Sequence, residues 1–257
     1  MTSCTRRLSV AGLCLALAAF AVQPSGATIL DLTTLGASGF IGSAYFKQVE
    51  HQSTGSGVIN PFVRLQHSDW EQGFNTDYRP LSGDLAHVNS SASFTHSIKF
   101  DDFGVVDREG TPSIRFLLDI NQTGNSPMLS LDKLKIYAAD APDIHSNSSL
   151  ASLGTLVYDM GSDNKIYLDY SLESGSGAGD MFAYLPQSLV QPYAGKYLYL
   201  YSKFGATGGA YATNDGFEEW ASIDAANGTP APVPEPRTLI LLGGGMVGLV
   251  ALRRRHS

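Results

Sequence analysis

The stretch Lys165-Ile-Tyr-Leu-Asp-Tyr-Ser-Leu-Glu173 alternates with a period of two. Its even-numbered residues, from Ile166 to Leu172, are apolar, whereas Asp169 and Ser171 stand among the odd-numbered ones. Successive side chains of a β-strand point to opposite faces of the sheet. The pattern therefore predicts a strand with one buried and one solvated face.

Comparable patterns recur along the chain and are separated by clusters of Gly, Ser, Asn and Pro. Further strands are predicted at 40–49, 58–66, 94–100, 114–120, 129–138, 154–159 and 197–203. The segment 185–190 is predicted as a short helical turn. Many strands at short spacing, with no long helices between them, predict an all-β fold, an antiparallel jelly-roll-like β-sandwich.

A dehydrogenase-like pattern is present but is excluded. Gly36, Gly39 and Gly42 form GxxGxxG, and Tyr199 and Lys203 form YxxxK. A dinucleotide turn must connect a strand to a helix in a parallel sheet, and no such series follows here. Residues i and i+4 are adjacent on a helix, but they lie about 13 Å apart along a strand. We expect the glycines to form a turn and a strand with close neighbours.

The composition indicates a folded, acidic protein. Hydrophobic residues make up 43% of the 257 residues and charged ones 16%, which is enough apolar material for a packed core. Six of the 17 Lys/Arg lie near the termini, so residues 28–232 hold 11 basic against 23 acidic residues, a net charge of −12. We therefore expect no nucleic-acid partner.

The N-terminus has the pattern of a secretory signal peptide. Arg6 and Arg7 precede an apolar stretch that ends in small residues, which predicts a signal peptide over 1–27 with cleavage between Ala27 and Thr28. Residues 28–229 would then form the exported domain. Both cysteines would be lost with the signal, because they lie at positions 4 and 14.

The C-terminus, 230–257, consists of three parts in order. They are Val233-Pro234-Glu235-Pro236, an apolar segment over 238–252, and Arg253-Arg254-Arg255. Fifteen helical residues reach about 22 Å, short of a bilayer core of about 30 Å. The prolines prevent the helix from continuing outward. The arginines would remain on the cytoplasmic side. An extended peptide beside a marginal transmembrane helix is suited to proteolytic processing.

These three parts resemble the PEP-CTERM sorting tail of Gram-negative bacteria. The resemblance implies recognition by exosortase, a membrane protease-transpeptidase, with transient residence in the inner membrane. The alternative is a permanent single-span anchor. The body also resembles a domain found repeatedly in PEP-CTERM proteins, through runs such as STGSGVINPFVRLQ at 53–66 and NDGFEEWA at 214–221. This second resemblance implies a cell-surface or extracellular-matrix location, often alongside exopolysaccharide production.

Motifs of catalysis are missing from the sequence, which contains no HExxH, P-loop or GxSxG. We expect the protein not to be an enzyme. A secreted glycan-active hydrolase remains the alternative, with Asp101-Asp102 or Glu218-Glu219 as acid and base. Adjacent residues of a strand point to opposite faces, which disfavours either pair acting together.

Calcium is the one cofactor that the sequence suggests. Asp159 and Asp163 lie in one oxygen-rich turn and Asp215 in another, although neither turn fits the EF-hand pattern. The simpler interpretation, which we favour, is that Asn, Asp and Gly serve the backbone of these turns.

Carbohydrate contact would require aromatic rings on an exposed face. Trp70, Tyr78 and Trp220 lie in polar segments and are candidate ligand contacts. The alternative, which we favour, is that they cap the sandwich core. The sequence thus predicts an exported structural or adhesive protein that is linked to exopolysaccharide.

Overall fold

The computed structural model describes residues 26–49, 59–174, 179–214 and 216–222. One seven-stranded sheet, the first sheet, contains β1 (Ile29–Asp31), β6 (Glu71–Phe74), β7 (Ile98–Lys99), β10 (Met128–Ala139), β11 (Thr155–Asp159), β12 (Lys165–Asp169) and β14 (Tyr197–Phe204). The other, the second sheet, contains β2 (Ser38–Ile41), β3 (Ala44–Gln48), β4 (Asn60–Leu65), β8 (Val105–Arg108), β9 (Thr111–Asp119), β13 (Met181–Pro186) and β16 (Glu218–Ser222). A two-stranded sheet joins β5 (Ser68–Asp69) to β15 (Thr213–Asn214).

Strand order is not the order of the chain. The first sheet runs β1-β12-β10-β14-β6, with β11 beside β10 and β7 beside β14. The second runs β2-β3-β13-β9-β16-β4, with β8 beside β9. Among the described strands β1 and β12 are parallel, and the other pairs are antiparallel. The predicted all-β antiparallel sandwich is confirmed.

The core lies between the two large sheets. Phe46 and Phe116 of the second sheet and Ile136 and Leu200 of the first sheet are fully buried in one hydrophobic cluster. A polar contact also joins the sheets, because Trp220 Nε1 donates to Ser202 Oγ at 3.2 Å. Burial of apolar side chains from both sheets is the main stabilisation of such a sandwich.

Helices are short. Two are α-helical, α1 (Asn147–Leu153) and α2 (Gln187–Val190), and 3₁₀ turns occur at Gly83–Leu85, Phe100–Asp102, Gln191–Tyr193 and Gly209–Tyr211. The predicted helical turn at 185–190 corresponds to α2. Within the described ranges no helix has the length and apolarity needed to cross a membrane. The predicted transmembrane segment 238–252 lies outside the described residues.

The alternating stretch at 165–173 contains β12, with Ile166 and Leu168 buried. The strand ends four residues earlier than predicted, at Asp169, because Asp169 Oδ1 accepts hydrogen bonds from the backbone N and the Oγ of Ser171, at 2.8 and 2.6 Å. Such a local bond favours a turn over a continued strand. The predicted strand 114–120 falls largely within β9, and its acidic residue Asp119 is buried rather than solvated.

Two predicted strands were wrong in detail. Segment 94–100 contains only β7 and the start of a 3₁₀ turn. There Thr95 Oγ1 accepts from the backbone N of Arg64, so this segment covers the edge of β4 rather than extending as a strand. Segment 40–49 is a hairpin of β2 and β3 with Gly42 at φ 60° in its turn. A Cβ on Gly39 would lie 2.6 Å from Leu30 Cδ1, which confirms the expected close approach.

Candidate functional site

Cross-strand register places a row of large side chains on the outer side of the second sheet. Phe40 of β2 pairs with Tyr45 of β3, Tyr45 pairs with Tyr184 of β13, and Tyr184 pairs with Arg115 of β9. The neighbours of Tyr45 in sequence, Ala44 and Phe46, are buried. The row therefore points away from the core.

The rings of this row contact one another. Ring centroids are 4.9 Å apart for Phe40 and Tyr45, 6.0 Å for Tyr45 and Tyr184, and 6.0 Å for Tyr184 and Phe182. Phe40 is 56% exposed, and the other three are half-buried. We call these four residues the aromatic face. An exposed, ordered set of this kind is unusual on a soluble surface unless it meets a partner.

Two arginines accompany the aromatic face. The Arg108 guanidinium carbon lies 5.2 Å from the Phe40 centroid and 4.8 Å from the Tyr45 centroid. The Arg115 guanidinium carbon lies 4.6 Å from the Phe182 centroid. Stacked guanidinium groups hold the rings in place, and Arg108, whose side chain is 15% exposed, supplies hydrogen-bond donors beside them. The face combines flat apolar surfaces with cationic donors.

Trp70, one of the predicted contacts, lies in a second exposed cluster. Trp70 is 39% exposed, and Lys203 Nζ lies 4.5 Å from its ring centroid. The His87 ring approaches Trp70 at 4.9 Å and stacks on His67 at 4.0 Å. Burial, followed by the charges of His67 and Lys203, lowers the pKa of His87. A ligand role for Trp70 stays a prediction.

The other two predicted ligand contacts, Tyr78 and Trp220, are less exposed than Trp70. Tyr78 is half-buried against the core, with its ring 5.0 Å from that of His145. Trp220 is fully buried in β16, so its prediction as a ligand contact was wrong. The acidic neighbours Glu218 and Glu219 suggested an exposed segment, but both are buried with Trp220. The alternative of a core position is the correct one for Trp220.

The predicted calcium turns do not gather ligands among the residues described. Asp159 binds Lys135 Nζ at 3.0 Å and accepts from the backbone N of Gly161 at 2.8 Å, Asp163 is exposed, and Asp215 lies outside the described residues. In the described part of the chain no three His, Cys, Asp or Glu residues form a metal-binding group. Calcium at these turns stays a prediction.

Four buried side chains with carboxyl or amide oxygens meet at one end of the sandwich, and we call them the oxygen cluster. They are Glu71 of β6, Gln122 after β9, Asp180 before β13 and Glu218 of β16, each at most 4% exposed. Gln122 Nε2 donates to Glu218 Oε1 at 2.6 Å, and the Glu71 and Glu218 carboxyl groups are within hydrogen-bonding reach. Burial raises the pKa of all three acids, and Glu218 raises that of Glu71 further.

The two carboxylate pairs considered for a hydrolase form hydrogen bonds or ion pairs with other residues of the protein. Glu218 points into the oxygen cluster, whereas Glu219 binds Arg64 Nε at 2.5 Å. Asp101 Oδ2 accepts from the backbone N of Gly195, and Asp102 Oδ2 accepts from that of Lys99, each at 2.8 Å. Neither pair presents two carboxylates to one open cleft.

The sequence analysis did not predict the aromatic face. The hairpin that forms it could have been recognised at Ile41-Gly42-Ser43-Ala44, because a Gly-Ser dipeptide between apolar residues is typical of a two-residue β-hairpin turn. That turn places Phe40 opposite Tyr45. The oxygen cluster had no such local signal, since Gln122 and Glu218 are 96 residues apart.

The processing residues lie at the ends of the chain. Thr28 N donates to Asn164 Oδ1 at 2.8 Å, and β1 begins at the next residue, so cleavage after Ala27 would leave the first strand whole. The cleavage site stays a prediction. The sorting residues, Val233 to Pro236 and Arg253 to Arg255, lie outside the described residues.

Residues 232–255 match the family model of the PEP-CTERM protein-sorting motif. This match covers the Pro-Glu-Pro residues, the apolar segment and the arginine cluster. Neither the curated proteins nor the solved structures contain a match to the chain. The chain therefore carries the PEP-CTERM protein-sorting motif, which supports an exported protein that exosortase sorts through the C-terminal tail.

Proposed function

We propose that the exported β-sandwich acts at the cell surface or in the extracellular matrix, where it holds polysaccharide without cleaving it. The observation that carries the proposal is the aromatic face, an exposed row of rings in cross-strand register. Sugar rings present apolar C–H surfaces that pack on aromatic rings, and their hydroxyl groups accept hydrogen bonds from neighbouring donors. Sugar rings can pack on Phe40, Tyr45 and Tyr184. Arg108 can donate hydrogen bonds to their hydroxyl groups.

The shape of the site favours a polymer over a small molecule. The rings extend across three neighbouring strands, β2, β3 and β13, on a sheet face rather than in a closed cavity. Small-molecule sites are usually concave and bury most of the ligand. An open row of stacking surfaces is better matched to successive units of a chain. This role agrees with the export and sorting of the protein.

The test is binding of the full-length chain, in detergent, to exopolysaccharide isolated from the host. Tyr45→Ala combined with Tyr184→Ala should weaken binding at least tenfold, because two stacking surfaces are lost. Tyr167→Ala is the matched control, since this half-buried tyrosine of the first sheet stacks on Tyr211 away from the aromatic face. Equal binding by the double variant and the wild type would contradict the proposal.

The same samples distinguish a hydrolase from a binding protein. Polysaccharide incubated with the protein should keep its chain length and release no reducing sugar. Release that persists in the Tyr45→Ala, Tyr184→Ala variant would place catalysis elsewhere and favour the hydrolase alternative.

A further inference from the structure

The oxygen cluster contains more acceptors than the described protein supplies donors for. Glu71 Oε2 accepts from the backbone N of His67 at 2.9 Å, and Asp180 Oδ2 accepts from that of Ile120 at 2.7 Å. Glu218 Oε1 accepts from Gln122. The remaining oxygen of each of these side chains is buried without a hydrogen-bond partner: Glu71 Oε1, Gln122 Oε1, Asp180 Oδ1 and Glu218 Oε2.

Unsatisfied buried oxygens are costly, and those of carboxyl groups most of all. Within the described ranges no Lys, Arg or His forms a salt bridge with Glu71, Asp180 or Glu218. The nearby acids add to the repulsion, because Asp119, Glu173 and Glu218 all raise the pKa of Asp180. Some positive charge is therefore needed at this end of the sandwich.

A shared proton is one source of that charge. It would let Glu71 donate to Glu218 and would satisfy one oxygen on each. It would leave the amide oxygen of Gln122 without a donor, as well as Asp180 Oδ1. A buried water molecule donates only two hydrogen bonds. Neither a shared proton alone nor a single water molecule alone accounts for all four oxygens.

We propose that Glu71, Gln122 and Glu218 bind a calcium ion through two carboxyl groups and one amide oxygen. Calcium takes carboxylate and amide oxygens in flexible geometry, whereas magnesium demands near-ideal octahedral geometry and retains several waters. Two oxygens that share one Ca²⁺ at about 2.4 Å lie roughly 3 Å apart, as hydrogen-bonded carboxyl groups also do. The contact between Glu71 and Glu218 fits such a shared ion.

The ion would fasten the two sheets together. Glu71 lies in the first sheet, Glu218 in the second, and Gln122 lies next to the end of β9. Dissociation constants of about 10⁻⁴ to 10⁻³ M are sufficient for calcium sites outside the cell, where this protein is exported. The inference concerns stability and does not depend on polysaccharide binding.

The first experiment measures metal binding in the folded, full-length chain. The protein has two tryptophans, and Trp220 lies two residues from Glu218. In a Trp70→Phe background, terbium should replace calcium and show luminescence sensitised by Trp220 alone. Added calcium should displace terbium, whereas equal magnesium should not. Absence of sensitised luminescence, or displacement by magnesium as readily as by calcium, would overturn the proposal.

The second experiment measures thermal unfolding with EGTA and with calcium. At a hundredfold excess over Kd, calcium should raise Tm by about 5 to 10 °C. Glu218→Gln should weaken calcium binding at least tenfold, and the control Asp163→Asn should change it less than twofold. If calcium leaves Tm unchanged and Glu218→Gln raises Tm in EGTA, the pair shares a proton and no calcium site exists.

Discussion

The aromatic face and the oxygen cluster reverse the usual placement of side chains. The first exposes Phe40 and leaves three more rings half-covered, while the second buries Glu71, Asp180 and Glu218. Exposed single apolar residues are ordinary, but an ordered row of rings and a buried group of unsatisfied acids are not. Each departure is costly unless something outside the described protein contacts it. The two regions are therefore the places where we propose that partners bind, a polysaccharide on the outer face and a calcium ion between the sheets.

The same contrast occurs between neighbouring residues of β16. Glu218 meets another carboxyl group, whereas Glu219 meets Arg64, whose guanidinium carbon lies 3.4 Å from the Phe94 ring centroid and 4.3 Å from that of Phe217. Both glutamates are buried. Only Glu219 has its counter-charge within the described chain. The fold can therefore place a cationic side chain beside a buried acid. Glu218 has no such side chain within the described chain, and this difference supports the proposed ion.

The largest predicted effect is a difference in stability between two variants of β3, one in the core and one on the aromatic face. Phe46→Ala should lower the free energy of unfolding by about 3 to 5 kcal/mol, because Phe46 is fully buried and its loss leaves a cavity. Tyr45→Ala should cost only about 1 kcal/mol, the scale of a cross-strand surface pair. Urea unfolding measures both values. A cost for Tyr45→Ala close to that of Phe46→Ala would mean that the aromatic face serves the fold and not a ligand.

Much of the first sheet could be predicted from local patterns. β10, β11 and β14 agree with the predicted segments 129–138, 154–159 and 197–203, because each alternates or is rich in β-branched and aromatic residues. β13 was missed as a strand, and its last two residues were included in the helical turn predicted at 185–190. It is a central strand of the second sheet, and its pairing with β3 and β9 decides its conformation.

The candidate sites were less predictable than the strands. Exposure of Trp70 and burial of Trp220 cannot be told from their similar polar neighbours, because burial depends on which strand pairs with which. Trp220 faces inward since β16 is held between β4 and β9. The sorting motif could be recognised from the sequence because its signal is entirely local.

The next prediction tests whether Arg64 is the feature that distinguishes Glu219 from Glu218. Arg64→Met should lower the free energy of unfolding by about 3 kcal/mol, because it leaves Glu219 charged and buried without a partner. Adding Glu219→Gln should recover most of that loss, since the unpaired charge is then removed. Chemical unfolding of the single and double variants measures this coupling. Equal stability of the two variants would show that Glu219 does not need Arg64.

The smallest predicted effect concerns the exposed cluster around Trp70, which lies next in sequence to Glu71. The lowered pKa of His87 means that the folded protein binds fewer protons than the unfolded chain between that pKa and the ordinary value near 6.5. Stability should therefore fall slightly as pH decreases through this window. His87→Gln should remove that part of the pH dependence of Tm. A titration of the His87 ring by NMR should give a midpoint below about 6.5. A midpoint above it would contradict this prediction, because ring contacts with Trp70 and His67 would then outweigh burial and the repulsion by Lys203.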